Sequence, residues 1–212
     1  MLFRSRPSNS GVAQLKEKFS IKLDQLVIMG LGRLVEKKGF VYLIKAMPKI
    51  LEKHKNVVFV IIGDGDQRKE LEDLAGSLGV ADYLRMPGYA PRDKAVQYYN
   101  MADIFVATST RDKKGNLDDQ PLSLLEAMSC QKPVVATALS GIKSIVSDGV
   151  NGFLFKDGNV LELSWFLNRL IESACLREKM AEESRRLSVE KFSIKRIGEY
   201  YTDVFNLLLN PV

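Results

Sequence analysis

"LVIMGLGRLVEKKGFVYLIKAMPKILEKHKNVVFVII" (residues 26–62) sets the architectural pattern that the rest of the chain repeats. Two apolar, β-branched runs, Leu26–Leu31 and Val57–Ile62, stand on either side of an amphipathic run that predicts a helix over about 40–55. Continuously apolar strands separated by helices are typical of a parallel sheet that is covered on both faces. The stretch therefore predicts one strand–helix–strand unit.

The same alternation continues outward in the sequence. Further strands are predicted at 103–108 and 133–137, with less regular candidates at 82–87 and Gly152–Phe155. Further helices are predicted at about 67–78, 94–101, 121–129 and 160–173, and two more lie between 176 and 209. We therefore predict a single α/β domain that is doubly wound and Rossmann-like, with a parallel sheet of about six strands and helices on both faces.

Composition excludes several classes of protein. The 212 residues are 46% hydrophobic and 27% charged, which is typical of a globular domain. The net charge of +5 is small for a nucleic-acid binder, whereas a pocket for an anionic small molecule or attraction to an acidic membrane surface fits it. Two cysteines and one histidine argue against a disulfide scaffold or a zinc module. No apolar run reaches the ~20 residues of a membrane span, and no signal peptide is evident, so a cytoplasmic location is expected.

The segment after the first strand, "GLGRLVEKKG" (residues 30–39), carries the first candidate site. Val35 stands where a dinucleotide fingerprint needs its third glycine, and the phosphate-loop pattern of NTPases is absent. Gly32 suits a tight turn, and Arg33 and Lys38 can converge on one diphosphate, arginine as a fork and lysine as a point charge. The alternative is a pair of solvated loop cations.

The segment after the second strand, "GDGDQRKEL" (residues 63–71), contains a D-x-D pair. Asp64 and Asp66 could hold a divalent metal on a sugar nucleotide's phosphates. The simpler interpretation is a glycine-rich turn into a helix, with Asp66 as the N-cap residue. We favour the N-cap.

The segment after the fourth predicted strand, "TSTRDKKGNLDDQPLSLLEAMS" (residues 108–129), is the longest polar loop of the chain. Pro121 suits the first position of a helix whose backbone amides form an anion site. Asp118 and Asp119 either cap this helix or face hydroxyl groups attached to the bound anion. Glu126 lies on an apolar stretch, so it needs hydrogen-bond partners if buried, and vicinal ribose hydroxyls would serve. The alternative is an exposed helix glutamate.

Five motifs in order resemble one family of enzymes. They are "GRLVEKKG", "GDGDQRKEL", "PGYAPRDKAVQYYNMADIFVATS", "DDQPLSLLEAMSCQKPVVAT" and "SGIKSIVSDGVNGFLF". Together they resemble the C-terminal, donor-binding half of a retaining GT-B glycosyltransferase of group 1, over about residues 26–192. The resemblance implies an entry segment or linker at 1–20, a donor-binding domain at 21–192, and a C-terminal helix at 193–212 that packs against an N-terminal acceptor domain outside this chain.

The resemblance also implies roles for individual residues. Arg33 and Lys38 match the basic pair that grips the donor's diphosphate, and Asp118 and Glu126 match the two glutamates of the E-x7-E motif, which lie near the donor sugar and the ribose. Arg33, Lys38 and Asp118 are thus the expected catalytic residues. The remaining expected donor-binding residues are Gly32, Gly63, Gly88, Tyr89, Asp119, Pro121, Leu122 and Ser123. The sequence departs from the family at Asp119 and Ser140, where glycine is usual, and at Ser144, where an acidic residue is usual.

The activity implied is transfer of a hexosyl or related group from a nucleotide-diphosphate sugar to a glycan or lipid-linked acceptor, as in polysaccharide biosynthesis. No metal or other cofactor is expected, and no nucleic-acid partner is expected. The resemblance implies that the isolated chain is inactive without an acceptor domain, and that it associates peripherally with the inner face of the membrane. The alternative function is a non-catalytic nucleotide-binding or structural module of the same fold.

Overall fold

A computed structural model describes residues 9–118 and 120–209. The strands are β1 (Leu26–Leu31), β2 (Val57–Ile62), β3 (Leu84–Gly88), β4 (Ile104–Ala107), β5 (Val134–Thr137) and β6 (Gly152–Phe155). The helices are α1 (Asn9–Lys18), α2 (Phe40–Leu51), α3 (Arg68–Ser77), α4 (Ala95–Met101), α5 (Leu122–Ser129), α6 (Ser140–Lys143), α7 (Val160–Glu172), α8 (Ala174–Phe192) and α9 (Ile194–Leu209). The predicted fold class is confirmed.

The strand order creates a crevice in the middle of the sheet. All pairings are parallel, and the order across the sheet is β3-β2-β1-β4-β5-β6. The chain therefore moves outward from β1 in one direction as far as β3, returns to the other side of β1, and continues outward from β4. Ligands of open α/β sheets bind at such a switch point, beyond the carboxyl ends of the strands. Here the switch point lies between β1 and β4.

Helices cover both faces of the sheet, because the buried strands point alternate side chains in opposite directions. In β1, Ile28 packs into the core on the face covered by α2, α3 and α7. Its neighbours Val27 and Met29 pack into the core on the face covered by α1, α4 and α5. Side chains of α8 reach both cores, through Met180 and Leu187.

The first helix was not expected from the sequence. The segment interpreted as an entry or linker, residues 1–20, includes α1, which packs against α4. Leu15 is buried, and the Phe19 ring stacks on Tyr98 with centroids 6.0 Å apart. Lys16 Nζ donates to the carbonyl oxygens of Leu23 and Gln25. The helix has few apolar residues, so its hydrophobic periodicity is too weak to predict it.

The last helix leaves many apolar side chains exposed. A short break at Ser193 separates α8 from α9, which begins one residue after the start expected for the C-terminal helix at 193–212. Exposed side chains on α9 include Ile194, Tyr200, Tyr201, Phe205 and Leu208. Within the described ranges, no helix combines the length and apolar character that crossing a bilayer requires.

The two cysteines should differ in reactivity. Cys130 is half-buried at the end of α5, and burial raises the pKa of its thiol to about 11, whereas Cys175 is exposed on α8. Since the thiolate is the nucleophile, iodoacetamide at pH 8 should alkylate Cys175 first and Cys130 only on unfolding. Peptide mass spectrometry measures the two alkylation rates, and equal rates at pH 8 would contradict this prediction.

The raised pKa of the folded-state Cys130 thiol also affects stability. The stability that this thiol contributes is complete below about pH 9 and is lost as pH rises towards about 11.

Candidate functional site

An open cleft of about 340 Å³ lies at the switch point of the sheet. It is bounded by the end of β1, the segment that follows it, and the first turns of α5. Three cations and two carboxylates contribute to its wall. The lining residues are Leu31, Gly32, Arg33, Lys37, Lys38, Asp118, Leu122, Ser123 and Glu126. Most of the residues predicted for the site therefore come together. Leu31 and Lys37 were not predicted, although both lie within the quoted loop.

The segment between β1 and α2, which we call the cation loop (residues 32–39), is held on one side by the end of β4. Thr108 Oγ1 donates to the Lys38 carbonyl oxygen at 2.9 Å, and Thr110 N donates to the Lys37 carbonyl oxygen at 2.9 Å. Gly39 adopts φ 62°, and a Cβ there would lie 2.0 Å from the Thr108 carbonyl oxygen. Only glycine permits so close an approach of the two backbones.

The cation loop is held on its other side by the segment after β2. Leu34 N donates to the Asp64 carbonyl oxygen at 2.9 Å, and Gln67 N donates to the Leu34 carbonyl oxygen at 3.0 Å. The Leu34 side chain is fully buried. With backbone bonds on both sides and an anchored apolar side chain, the loop presents its cations from a fixed backbone. Such preorganisation avoids an ordering cost when a ligand binds.

The Lys38 side chain crosses the loop and pairs with Asp118. Lys38 Nζ donates to Asp118 Oδ2, and the two side chains are only 17% and 21% exposed. A Cβ on Gly32 would lie 2.8 Å from Lys38 Cε, so glycine at that position leaves the path open. Arg33 is exposed, and no carboxylate of the described residues pairs with it. The two predicted cations therefore differ, because only Lys38 already has an anionic partner.

The start of α5 differs from the prediction. Pro121 was predicted to be the first helical residue. It is instead the N-cap residue, and its ψ of 119° is extended. No side chain among the described residues caps this helix, so the interpretation of Asp118 as its cap is wrong. Pro121 lines a small cavity beside the cleft together with Lys38 and Ser123. Asp119 lies outside the described residues.

Glu126 is half-buried and has a protein partner that the sequence did not predict. Tyr99 lies on α4 with its side chain fully buried, and its hydroxyl group donates to Glu126 Oε2 at 2.7 Å. Burial and the neighbouring carboxylate raise the pKa of Tyr99 far above its ordinary range, so the phenol remains a donor. The alternative of an exposed helix glutamate is therefore wrong. The repeated aromatic residues in "QYYNM" were the available signal.

The D-x-D pair does not provide the N-cap that the sequence predicted. The N-cap of α3 is Gln67, without a side-chain cap bond, so the prediction of Asp66 as N-cap is wrong. Asp64 accepts a bond from Gly65 N at 2.9 Å, and its Oδ1 lies 3.8 Å from Arg68 Nη1. Among the described residues, His, Cys, Asp and Glu side chains form no group of three that could hold a metal ion.

The remaining predicted residues lie at the ends of β2 and β3. Gly63 N donates to the Gly88 carbonyl oxygen at 2.9 Å, and a Cβ on Gly63 would lie 1.8 Å from the Gly32 carbonyl oxygen. Contacts between glycine backbones thus hold the ends of β1, β2 and β3 close together. Tyr89 is 75% exposed and is not among the residues that line the cleft. Ser144 Oγ donates to the carbonyl oxygen of Gly141 at 2.6 Å. The Ser140 side chain is outside the described atoms.

The chain is similar to glycosyltransferases over nearly its whole length. It is 32% identical over 194 residues to an uncharacterized glycosyltransferase of Methanocaldococcus jannaschii, covering 92% of this chain and 48% of the relative. It is 26% identical over 203 residues to the α-D-kanosaminyltransferase of Streptomyces kanamyceticus, covering 96% of this chain and 51% of the relative. The chain thus spans about half the length of these relatives.

Solved structures agree with this similarity. Anabaena HepE in complex with UDP superposes with a TM-score of 0.82 at 25% identity, over 94% of this chain and 53% of HepE. HepE in complex with UDP-glucose gives a TM-score of 0.81 at 26% identity, with the same coverage. The family model described as glycosyl transferases group 1 matches residues 12–187. With its cleft at the switch point and this match over most of its length, the chain belongs to the group 1 glycosyltransferase family.

Proposed function

We propose that this chain binds a nucleotide-diphosphate sugar in the cleft and supplies the donor side of a retaining transfer to a glycan or lipid-linked acceptor. The observation that carries the proposal is the meeting of Arg33 and Lys38 from the cation loop with Glu126 from α5. Cations suit a diphosphate, and a carboxylate suits vicinal hydroxyls. The group transferred is a hexosyl or related sugar, and the complexes of HepE with UDP and UDP-glucose favour a uridine nucleotide.

The proposed chemistry is stabilisation of the leaving group. Transfer from a nucleotide sugar develops negative charge on the departing diphosphate, and donors fixed beforehand stabilise that charge without reorganising. We assign this stabilisation to Lys38 and Arg33, which line the cleft together with Leu122 and Ser123 from the first turn of α5. Asp118 holds Lys38 in place, and we propose that it also faces the donor sugar. No metal or other cofactor is included, because the cations of the loop suffice for this role.

The proposed partner is an acceptor-binding domain. Closure of such a domain over the cleft would exclude water and hold the acceptor in line with the sugar. The exposed apolar side chains of α9, among them Tyr200, Tyr201 and Phe205, support packing of this helix against that domain. We further propose a cytoplasmic location, with peripheral association with the inner face of the membrane where the acceptor is lipid-linked. Residues 21–192 form the proposed donor-binding domain.

Glu126→Ala should weaken binding of a nucleoside diphosphate while leaving the fold intact. Loss of a hydrogen bond to a charged group costs roughly 1.5–3 kcal/mol, which corresponds to about a tenfold or greater loss of affinity for UDP. Calorimetric titration measures it. Glu178→Ala on α8 is the matched control, since Glu178 is exposed and outside the cleft. Unchanged affinity in a folded Glu126→Ala variant would exclude the ribose contact.

A further inference from the structure

A buried tyrosine fixes the carboxylate that faces the cleft. The Tyr99 side chain is fully buried on α4, where its ring packs against Phe105 with centroids 5.7 Å apart. The ring therefore has little freedom to rotate. Its hydroxyl group reaches Glu126 Oε2 at 2.7 Å, a short distance that is typical of a hydroxyl donating to a carboxylate.

Glu126 needs such support. A glutamate side chain has several rotatable bonds, and immobilising it costs rotamer entropy. Arg33 and Lys38 line the same cleft, so an unsupported carboxylate could turn toward these cations and compete with an anionic ligand. The bond from Tyr99 engages Oε2, and no donor among the described residues binds Oε1. One oxygen atom is thus fixed by the protein while the other remains available.

We propose that Tyr99 is a positioning residue: it holds Oε2 of Glu126 so that Oε1 accepts hydrogen bonds from vicinal hydroxyls of the bound nucleotide. This inference rests on the proposed function and adds to it a residue that does not line the cleft. Because the phenol lies in the core between α4 and α5, it acts through Glu126 and makes no contact with the ligand itself. Tyr99 would therefore contribute to affinity only for ligands that carry those hydroxyls.

The test compares Tyr99→Phe with Tyr98→Phe by calorimetry, using UDP and 2′,3′-dideoxy-UDP as ligands. Tyr98 is the neighbouring buried tyrosine on the same helix, and its ring stacks on Phe19 away from the cleft. We expect Tyr99→Phe to lower affinity for UDP by about fivefold to tenfold and to leave affinity for the dideoxy analogue unchanged. Tyr98→Phe should change neither. In a Glu126→Ala background, Tyr99→Phe should have no further effect.

The ratio of the two affinities is the informative quantity, because both ligands bind the same folded protein and partial unfolding cancels. A Tyr99→Phe variant that keeps the wild-type ratio, or that loses affinity for both ligands equally, would overturn the positioning role and leave the proposed function standing. Failure of the wild-type chain to bind UDP or any other nucleoside diphosphate would overturn the proposed function, and the positioning role with it.

Discussion

Lys38→Ala should lower the affinity for UDP by about a hundredfold, the largest effect expected of any single change in the cleft. The variant loses a charge-assisted hydrogen bond worth up to about 3 kcal/mol. It also leaves Asp118, which is only 21% exposed, without its partner and facing the diphosphate. Affinity for uridine, which carries no phosphate, should fall by less than about threefold. Calorimetry with both ligands measures the contrast.

Two controls make this result specific. Lys45→Ala removes an exposed lysine from α2 and should leave both affinities unchanged. Lys38→Ala combined with Asp118→Asn removes the uncompensated carboxylate as well, so it should recover part of the lost affinity for UDP. Equal loss of uridine and UDP binding in Lys38→Ala would contradict a diphosphate contact.

Arg33→Ala should lower the affinity for UDP less than Lys38→Ala does, because Arg33 is exposed and solvent screens its charge.

Gly63→Ala should lower the free energy of unfolding by about 3 kcal/mol or more. Gly63 has φ +140°, a conformation that alanine rarely adopts, and the added Cβ would lie 1.8 Å from the Gly32 carbonyl oxygen. Relief requires the ends of β1 and β2 to separate, which also displaces the cation loop. We therefore expect the variant to lose affinity for UDP as well as stability. Urea denaturation measures the first effect and calorimetry the second.

Gly76→Ala is the matched control for Gly63→Ala. Gly76 lies near the end of α3, and a Cβ there would meet no atom within 4 Å. Alanine stabilises a helix relative to glycine by roughly 0.5–1 kcal/mol, so this variant should be slightly more stable than wild type. If Gly63→Ala were as stable as Gly76→Ala, the close packing of the two strand ends would be wrong.

The strands of the sheet could be predicted because the signal for a buried strand, a continuous apolar run, lies within the strand itself. Leu26–Leu31 and Val57–Ile62 are apolar throughout, as strands buried on both faces must be, and both are strands with those bounds. The glycine-rich turn predicted after the second strand also makes a close backbone contact, because a Cβ on Gly63 would lie 1.8 Å from the Gly32 carbonyl oxygen. The predicted positions of the helix N-caps were less accurate, because the capping residue depends on the exact geometry of the preceding turn. Asp66 was predicted as the N-cap of α3, but the N-cap is the next residue, Gln67. Pro121 was predicted as the first helical residue of α5, but it is the N-cap.

Contacts between distant parts of the chain could not be predicted from the residues alone. The Lys38–Asp118 pair joins residues 80 positions apart, and Tyr99 reaches Glu126 across 27 positions. Both depend on how helices and loops pack around the sheet. The sequence indicated that a half-buried glutamate needs a partner, but the partner considered was a ligand, and the structure supplies Tyr99 on one of the two oxygen atoms.

Titration of the wild-type chain with UDP, GDP, ADP and dTDP, paired with an assay for sugar transfer, tests the central proposal most directly. We expect at least one nucleoside diphosphate to bind at a single site, with the same affinity in EDTA, and to lose affinity in Lys38→Ala and Glu126→Ala. Because we propose that acceptor binding and closure come from a separate domain, the 212 residues alone should transfer no sugar from the corresponding nucleotide sugar to lipid or glycan acceptors. Absence of binding by all four would contradict donor recognition and favour a non-catalytic structural module. Binding that is lost in EDTA and restored by magnesium would contradict the proposal that the cleft binds its ligand without a metal.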